Sequence, residues 1–242
     1  MSSILEICQE VADITSTQRP TDLFDVNSQH NAIFLSVAKS ELDSLMRYGD
    51  WQDLTKEATL LTVANQTVYP LDNIVPDFYA ILNNTVFIKD QMEKVIGAIT
   101  PEDWMREKYF NCPGIDVKFK IQNNAIKFLV PPALGIKIVF QYRSNAVCLA
   151  DRTFEEKPRL TKNSDIPVFD PYVVKLGIIW RWLKRNGMDY TEEFNEYERE
   201  LKKKFGTGLA TKDINLAGPA FLTDYGDGEV FVNAAKTSQP QR

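Results

Sequence analysis

The strongest apolar pattern in the chain runs from Asp165 to Gly206 and predicts two helices joined by a tight turn. Over the first, Val173, Val174, Leu176, Ile178, Ile179, Trp180, Trp182 and Leu183 cover nearly the whole circumference, as in a helix buried on most sides. Asp170 suits its N-cap and Pro171 its first turn, where a missing N–H costs nothing. Asn186 and Gly187 supply the left-handed residue that stops it. The second helix carries one narrow stripe, Phe194, Tyr197, Leu201 and Phe205, on a charged rod. Asp189 with Glu192 reads as its capping pair and Gly206 as its stop. Acids crowd its first half and Lys202, Lys203 and Lys204 its end, which complements the helix dipole.

The same period opens the chain. Ser3 and Glu6 form a capping box ahead of one stripe, Ile4, Ile7, Val11 and Ile14. That helix fades near Thr15 to Thr17, because Arg19 precedes Pro20 and avoids helical angles. A second helix is predicted from about Asn27 to Tyr48. Its buried side is Phe34, Ala38, Leu42 and Leu45, flanked by Leu35, Val37 and Met46. Gly49 ends it and Trp51 folds back onto the helices.

From about Glu57 the period drops to two. Thr67 to Leu71 alternates polar and apolar, and Phe78 to Asp90 predicts a hairpin turning at Asn83 and Asn84, residues that tolerate positive φ. VKFKIQNNAIKFLVPP repeats the device at Asn123 and Asn124, and Ile136, Ile138, Phe140 and Tyr142 make a further alternating strand. Between the hairpins Thr100, Pro101, Glu102 and Asp103 start a short helix. The expectation is α+β: a helical bundle with an inserted antiparallel β-sandwich or barrel and an extended C-terminal arm. Residues 1–56 supply the N-terminal helices, 57–150 the β-rich insert, 151–206 the helical hairpin that completes the bundle, and 207–242 the arm. In that last stretch glycines and prolines interrupt the pattern, and Leu216, Phe221, Leu222, Tyr225, Val230, Phe231 and Val232 come in short clusters. It reads as a disordered tail or as an arm that orders on a partner's surface.

The 242 residues, 44% hydrophobic and 25% charged, are ordinary for a soluble protein. Net charge is −5, and residues 1–56 carry all of it, with nine acids against four bases; the other segments nearly balance. No basic stripe exists for gripping phosphates, so sequence-specific nucleic-acid binding is not expected. Cys8, Cys112 and Cys148 are odd in number and far apart, which suggests free thiols in a reducing cytoplasm. The opening MSSILEICQEV lacks the bases and apolar run of a signal peptide, and no stretch approaches the ~20 apolar residues of a membrane span.

Candidate chemistry is sparse. His30 is the only histidine, with no cysteine close in sequence to share a metal, so a surface or cap position is expected. Neither a Gly-rich phosphate loop nor a nucleophile elbow is present. Glu102 with Asp103, Glu155 with Glu156 and Glu192 with Glu193 are neighbours in sequence, whereas glycosidase carboxyls face each other across a cleft. Trp180 and Trp182 read as core, and Tyr69, Phe78, Tyr79 and Phe87 as β packing before any ligand platform. No cofactor or metal is expected, and no catalytic residue is assigned.

Taken in order, WQDLTKEATL, TVYPLDNIVPDFYAI, the tryptophan of PEDW, IKFLVPPALGIKIVFQYRSNA and DIPVFDPYVVKLGIIWRWLKRNG resemble the head-to-tail adaptor (connector or head-completion) proteins of tailed bacteriophages. The resemblance covers roughly residues 1–206. It implies a structural virion protein of the neck or tail region, assembled in the host cytoplasm. Copies would form a homo-oligomeric, dodecameric ring beneath the portal protein and above a downstream tail or nozzle protein. DNA would pass through the lumen without specific binding, and no membrane would be involved. It also implies that the C-terminal arm, through the seven apolar residues named above, docks on the portal. An acid-leaning or neutral lumen lets phosphates slide, so the charge on residues 1–56 is expected to line the channel or to face the next tail protein. Two other readings stay open: a tail-associated peptidoglycan hydrolase, and a sugar- or peptide-binding β module.

Overall fold

The chain folds as an α+β protein. The computed structural model describes residues 2–25, 27–91, 93–109 and 117–208, all of them in one compact unit. The described helices are α1 (Ile4–Ile14), α2 (Gln29–Tyr48), α3 (Pro101–Tyr109), α4 (Pro171–Arg185) and α5 (Thr191–Gly208). The strands are β1 (Thr55–Leu61), β2 (Val68–Pro70), β3 (Phe78–Ile81), β4 (Phe87–Ile88), β5 (Glu93–Lys94) and β6 (Phe119–Gln122). They continue with β7 (Ala125–Phe128), β8 (Lys137–Ser144), β9 (Cys148–Leu149), β10 (Glu156–Lys157) and β11 (Ile166–Pro167).

Local chemistry sets most helix ends. Ser3 and Glu6 close a reciprocal capping box on α1. The first N–H groups of α1 also reach the carbonyls of Asp165 (2.9 Å) and Asn163 (3.3 Å), so the helix start is fastened to the loop before α4. Thr100 Oγ1 accepts from Asp103 N (3.1 Å) ahead of α3, and Asp170 accepts from Tyr172 N and Val173 N at α4. At the end of α4 Gly187 takes φ +70°. Its N–H bonds to Lys184 O and that of Met188 to Leu183 O, which satisfies carbonyls the helix leaves open.

Three expectations about helices need correction. Ile14 does not join the buried stripe of α1: it is the final residue of the helix and is 58% exposed, although Val11 and Ala12 in the same turn are fully buried. Gly206 does not stop α5, which runs on to Gly208. Asp189 caps α5 by accepting from Thr191 N (3.0 Å) and Thr191 Oγ1 (2.8 Å), in place of the pairing with Glu192.

The strands form antiparallel sheets with open edges, not a closed sandwich or barrel. β8 is the spine of the largest: β1 pairs along one edge from Thr55↔Arg143 to Leu61↔Lys137. The expected hairpin between Phe78 and Asp90 does not pair with itself. β3 and β4 lie one after the other along the second edge of β8, opposite Tyr142 to Ser144 and Ile138 to Val139 respectively. Asn84 does turn the chain (φ +66°). Leu82 N then bonds to Gln141 O (2.9 Å) and Thr85 Oγ1 accepts from Gln141 N (3.2 Å), so the excursion closes as a bulge on β8. With each piece only two to four residues long, these strands lack the length to wrap round and shut a barrel. The Asn123–Asn124 turn does make its hairpin: Gln122 faces Ala125, and both asparagines take φ near +54°.

Two apolar cores result. One gathers Ile4, Ile7 and Val11 of α1, Phe34, Leu42 and Leu45 of α2, Val173, Val174 and Ile178 of α4, and Tyr197 and Leu201 of α5. The other lies between the sheets and is built on Phe119, Ile126, Phe128, Ile138 and Phe140.

Candidate functional site

The α2 helix has two faces of opposite character. The inner one carries a charge where the apolar stripe should be unbroken. Glu41 is fully buried between α4 and α5, and Arg181 Nη1 bonds its Oε2. The guanidinium also donates to Gly177 O (3.3 Å), lies 4.3 Å over the Trp180 ring and faces Tyr197 at 6.0 Å. Gly177 makes room for the pair. A Cβ on it would sit on the carboxylate of Glu41, so any larger residue must displace that buried side chain from its place beside Arg181. Burial pushes the Glu41 carboxyl up to about 7, against the pull of the Arg181 charge and of the Tyr197 hydroxyl. Its Oε1 has no hydrogen-bond partner among the described residues.

A second junction ties the two cores together. Arg143, on β8, donates from Nη1 to Gly49 O (2.6 Å) and Asp50 Oδ1 (3.0 Å) at the end of α2, and stacks 4.6 Å over Tyr79. Nearby, Asp77 accepts from Lys56 Nζ (2.6 Å), Tyr142 OH (2.9 Å) and Ser144 Oγ (2.9 Å), while Lys56 also pairs with Glu156. Burial acts to raise the Asp77 carboxyl, but these three donors outweigh it and hold it below its ordinary value. The same balance holds buried Asp165 low: Lys157 Nζ at 2.8 Å and the N–H groups of Thr161 and Lys162 prevail over desolvation.

The outer face of α2 is open. A groove of about 780 Å³ runs along it from Leu23 and Phe24 past Leu35 to Arg47. A second depression of about 560 Å³ shares Lys39, Asp43 and Arg47 with it and continues to Arg159 and Leu160. Lys39, Arg47 and Arg159 are exposed, and none has an ion-pair partner among the described residues. Lys39 instead lies 5.7 Å over the Phe24 ring.

The residues weighed for chemistry scatter. His30 Nε2 meets Gln18 O (2.7 Å) and its ring abuts Phe34 and Trp182 edge-on, a structural position. Trp182 is buried and stacked on Phe34 with centroids 4.1 Å apart. Trp180 is half-buried beneath Arg181. Tyr69 is core with its hydroxyl bonded to Val63 N (2.9 Å), and Tyr79 is spent on Arg143. Asp103 pairs with Arg106, one turn away on α3. Cys8 and Cys148 are buried free thiols, and desolvation pushes both up to about 12. Among the described residues no three His, Cys, Asp or Glu side chains group to hold a metal ion, and no helix is long and apolar enough to cross a membrane. Leu216, Phe221, Leu222, Tyr225, Val230, Phe231 and Val232 lie outside the described residues, as does Cys112.

No known protein family and no curated protein matches the chain.

The groove and the Glu41–Arg181 pair both escaped the sequence reading. A signal was present for the pair. Glu41 occupies a stripe position of α2 between Ala38 and Leu45, and a glycine four residues before an arginine interrupts the buried side of α4.

Proposed function

We propose that the chain is a structural subunit of a phage head-to-tail adaptor. Copies form a ring beneath the portal and continue the DNA channel toward the tail, within the neck of the virion. In this reading α1, α2, α4 and α5 form the bundle, the sheets between α2 and α4 form its β insert, and the residues after Gly208 act on a neighbouring molecule.

The observation that carries the reading is the open outer face of α2. An apolar floor edged by cations that have no ion-pair partner among the described residues suits contact with another molecule. A closed ring needs two different faces on each subunit, one to offer and one to receive. The bracing of the two cores by Arg143 and by Lys56, Asp77 and Glu156 adds to this, since a joint that transmits load needs parts that keep their mutual orientation. The order of motifs that resembles the adaptor proteins supplies the assembly; the geometry supplies a surface for it.

Electron microscopy of the assembled particle tests the proposal. Twelvefold density at one capsid vertex, fitted by this subunit between portal and tail, is the expected result. A particle that builds its neck without this chain, or a purified chain that clears peptidoglycan in a zymogram, overturns it.

A further inference from the structure

We propose that the groove on the outer face of α2 receives residues 219–232 of a neighbouring copy of this chain, PAFLTDYGDGEVFV. The inference rests on the ring reading above and names the occupant of the surface that carries it.

The groove combines apolar and basic ground along its length. Half-buried Phe24 and Leu35 line one end over buried Leu23, and Leu42, Met46 and Leu160, buried in the core, floor the other. Lys39 and Arg47 line both depressions, and Arg159 stands beside Leu160 at the far end. Asp25 and Asp43 are the acids of the lining, so the cations are in excess by one. The segment offers both complements, large apolar side chains and acids. Phe221, Leu222 and Tyr225 come first, then Asp227 and Glu229 after Asp224, then Val230, Phe231 and Val232. From Ile214 to Ala235 those three acids meet no base, a net charge of −3 in a stretch rich in large apolar side chains.

Scale agrees with charge. Lys39 and Arg47 are eight residues apart, ~12 Å along a helix axis. Asp224 and Glu229 are five apart, ~17 Å if the segment is extended. One strand of peptide therefore spans the cations with its acids and still reaches both apolar ends. Apolar contact supplies the affinity, and the paired charges fix direction and register. An extended peptide has few internal contacts of its own, so its isolated affinity is low. Presentation from a ring neighbour compensates by raising the effective concentration.

The test uses the full chain, with Phe221 replaced by the photoreactive benzoylphenylalanine. Isotopically heavy and light copies are mixed, irradiated, digested and sequenced by mass spectrometry. Crosslinks from position 221 of one isotope to residues 23–47 or 158–161 of the other are expected. Reversing the groove (Lys39→Glu, Arg47→Glu, Arg159→Glu) lowers their yield about tenfold, as loss of three exposed ion pairs implies. All three side chains are exposed, so these changes spare the core. Reversing the segment (Asp224→Lys, Asp227→Lys, Glu229→Lys) lowers the yield equally. Mixing the two reversed proteins restores it, because each then offers what the other receives.

Crosslinks confined to one copy, crosslinks that miss the groove, capture by the portal alone, or no rescue on mixing would each overturn the inference. Its failure is separable from that of the adaptor reading. Twelvefold neck density without groove crosslinks sinks only the docking, whereas groove crosslinks in a protein absent from the neck sink only the adaptor.

Discussion

Replacing Glu41 with glutamine tests the reading of the inner face of α2 most directly. The carboxyl is buried without exposure, and desolvation carries it from its ordinary value of 4.5 to about 7 in the folded protein. The folded state therefore binds more protons than the unfolded state between those values. The stability this group contributes is fully present below 4.5 and is lost as pH rises through 7. At 1.36 kcal/mol per unit, the gap between 4.5 and about 7 corresponds to ~3 kcal/mol. Glutamine keeps the shape and cannot titrate. Arg181 loses its counter-charge in the variant, but arginine stays charged throughout this range, so that loss is an offset and not a slope. Urea unfolding of both proteins from pH 4 to 8.5, followed by tryptophan fluorescence, gives two stability curves. Subtracting one from the other removes every titrating group they share. The difference, wild type minus variant, is expected to fall by ~3 kcal/mol between pH 4.5 and 8, nearly all of it below pH 7.5. A flat difference curve would refute the reasoning, since it would mean that the carboxyl titrates alike in the folded and unfolded states, with Arg181 offsetting the desolvation in full.

Gly177→Ala should reverse the usual sign of such a change. In a helix interior it ordinarily gains ~1 kcal/mol, but here the added Cβ meets the Glu41 carboxylate and a loss of about 2–3 kcal/mol is expected in the urea midpoint. Asn124→Ala should cost ~1 kcal/mol more than Asn124→Gly, because both variants lose the Asn124 Nδ2 bond to Asp72 Oδ1 (2.6 Å) but only alanine is strained at this positive φ; thermal unfolding distinguishes them. Cys8 and Cys148 should resist thiol reagents at pH 8 in the native protein, with burial holding both thiols near 12. Their modification rates should follow global unfolding across a urea series.

What the sequence could specify was local. The capping box of Ser3 and Glu6, the Asp170–Pro171 start of α4 and its Gly187 stop each depend on residues within four positions of one another, so pattern and turn chemistry reveal them. The Asn123–Asn124 hairpin belongs to the same class. The apolar stripes likewise foretold which sides of α2 and α4 are buried, though not what they meet. The hairpin at Asn83–Asn84 failed for the complementary reason. Its turn is local and real, but pairing is a competition among strands, and β8 offered a longer edge than β3 and β4 offered each other. Glu41 and Arg181 are 140 positions apart, and Arg143 and Gly49 are 94 apart. Period and composition report which side of an element is apolar, but not which element arrives there. The buried pair, the brace between the cores and the open groove on α2 exist only because the chain returns to its first helices after building the sheets. Tertiary structure alone decided those three features, since desolvation and close approach act between residues that the sequence holds far apart.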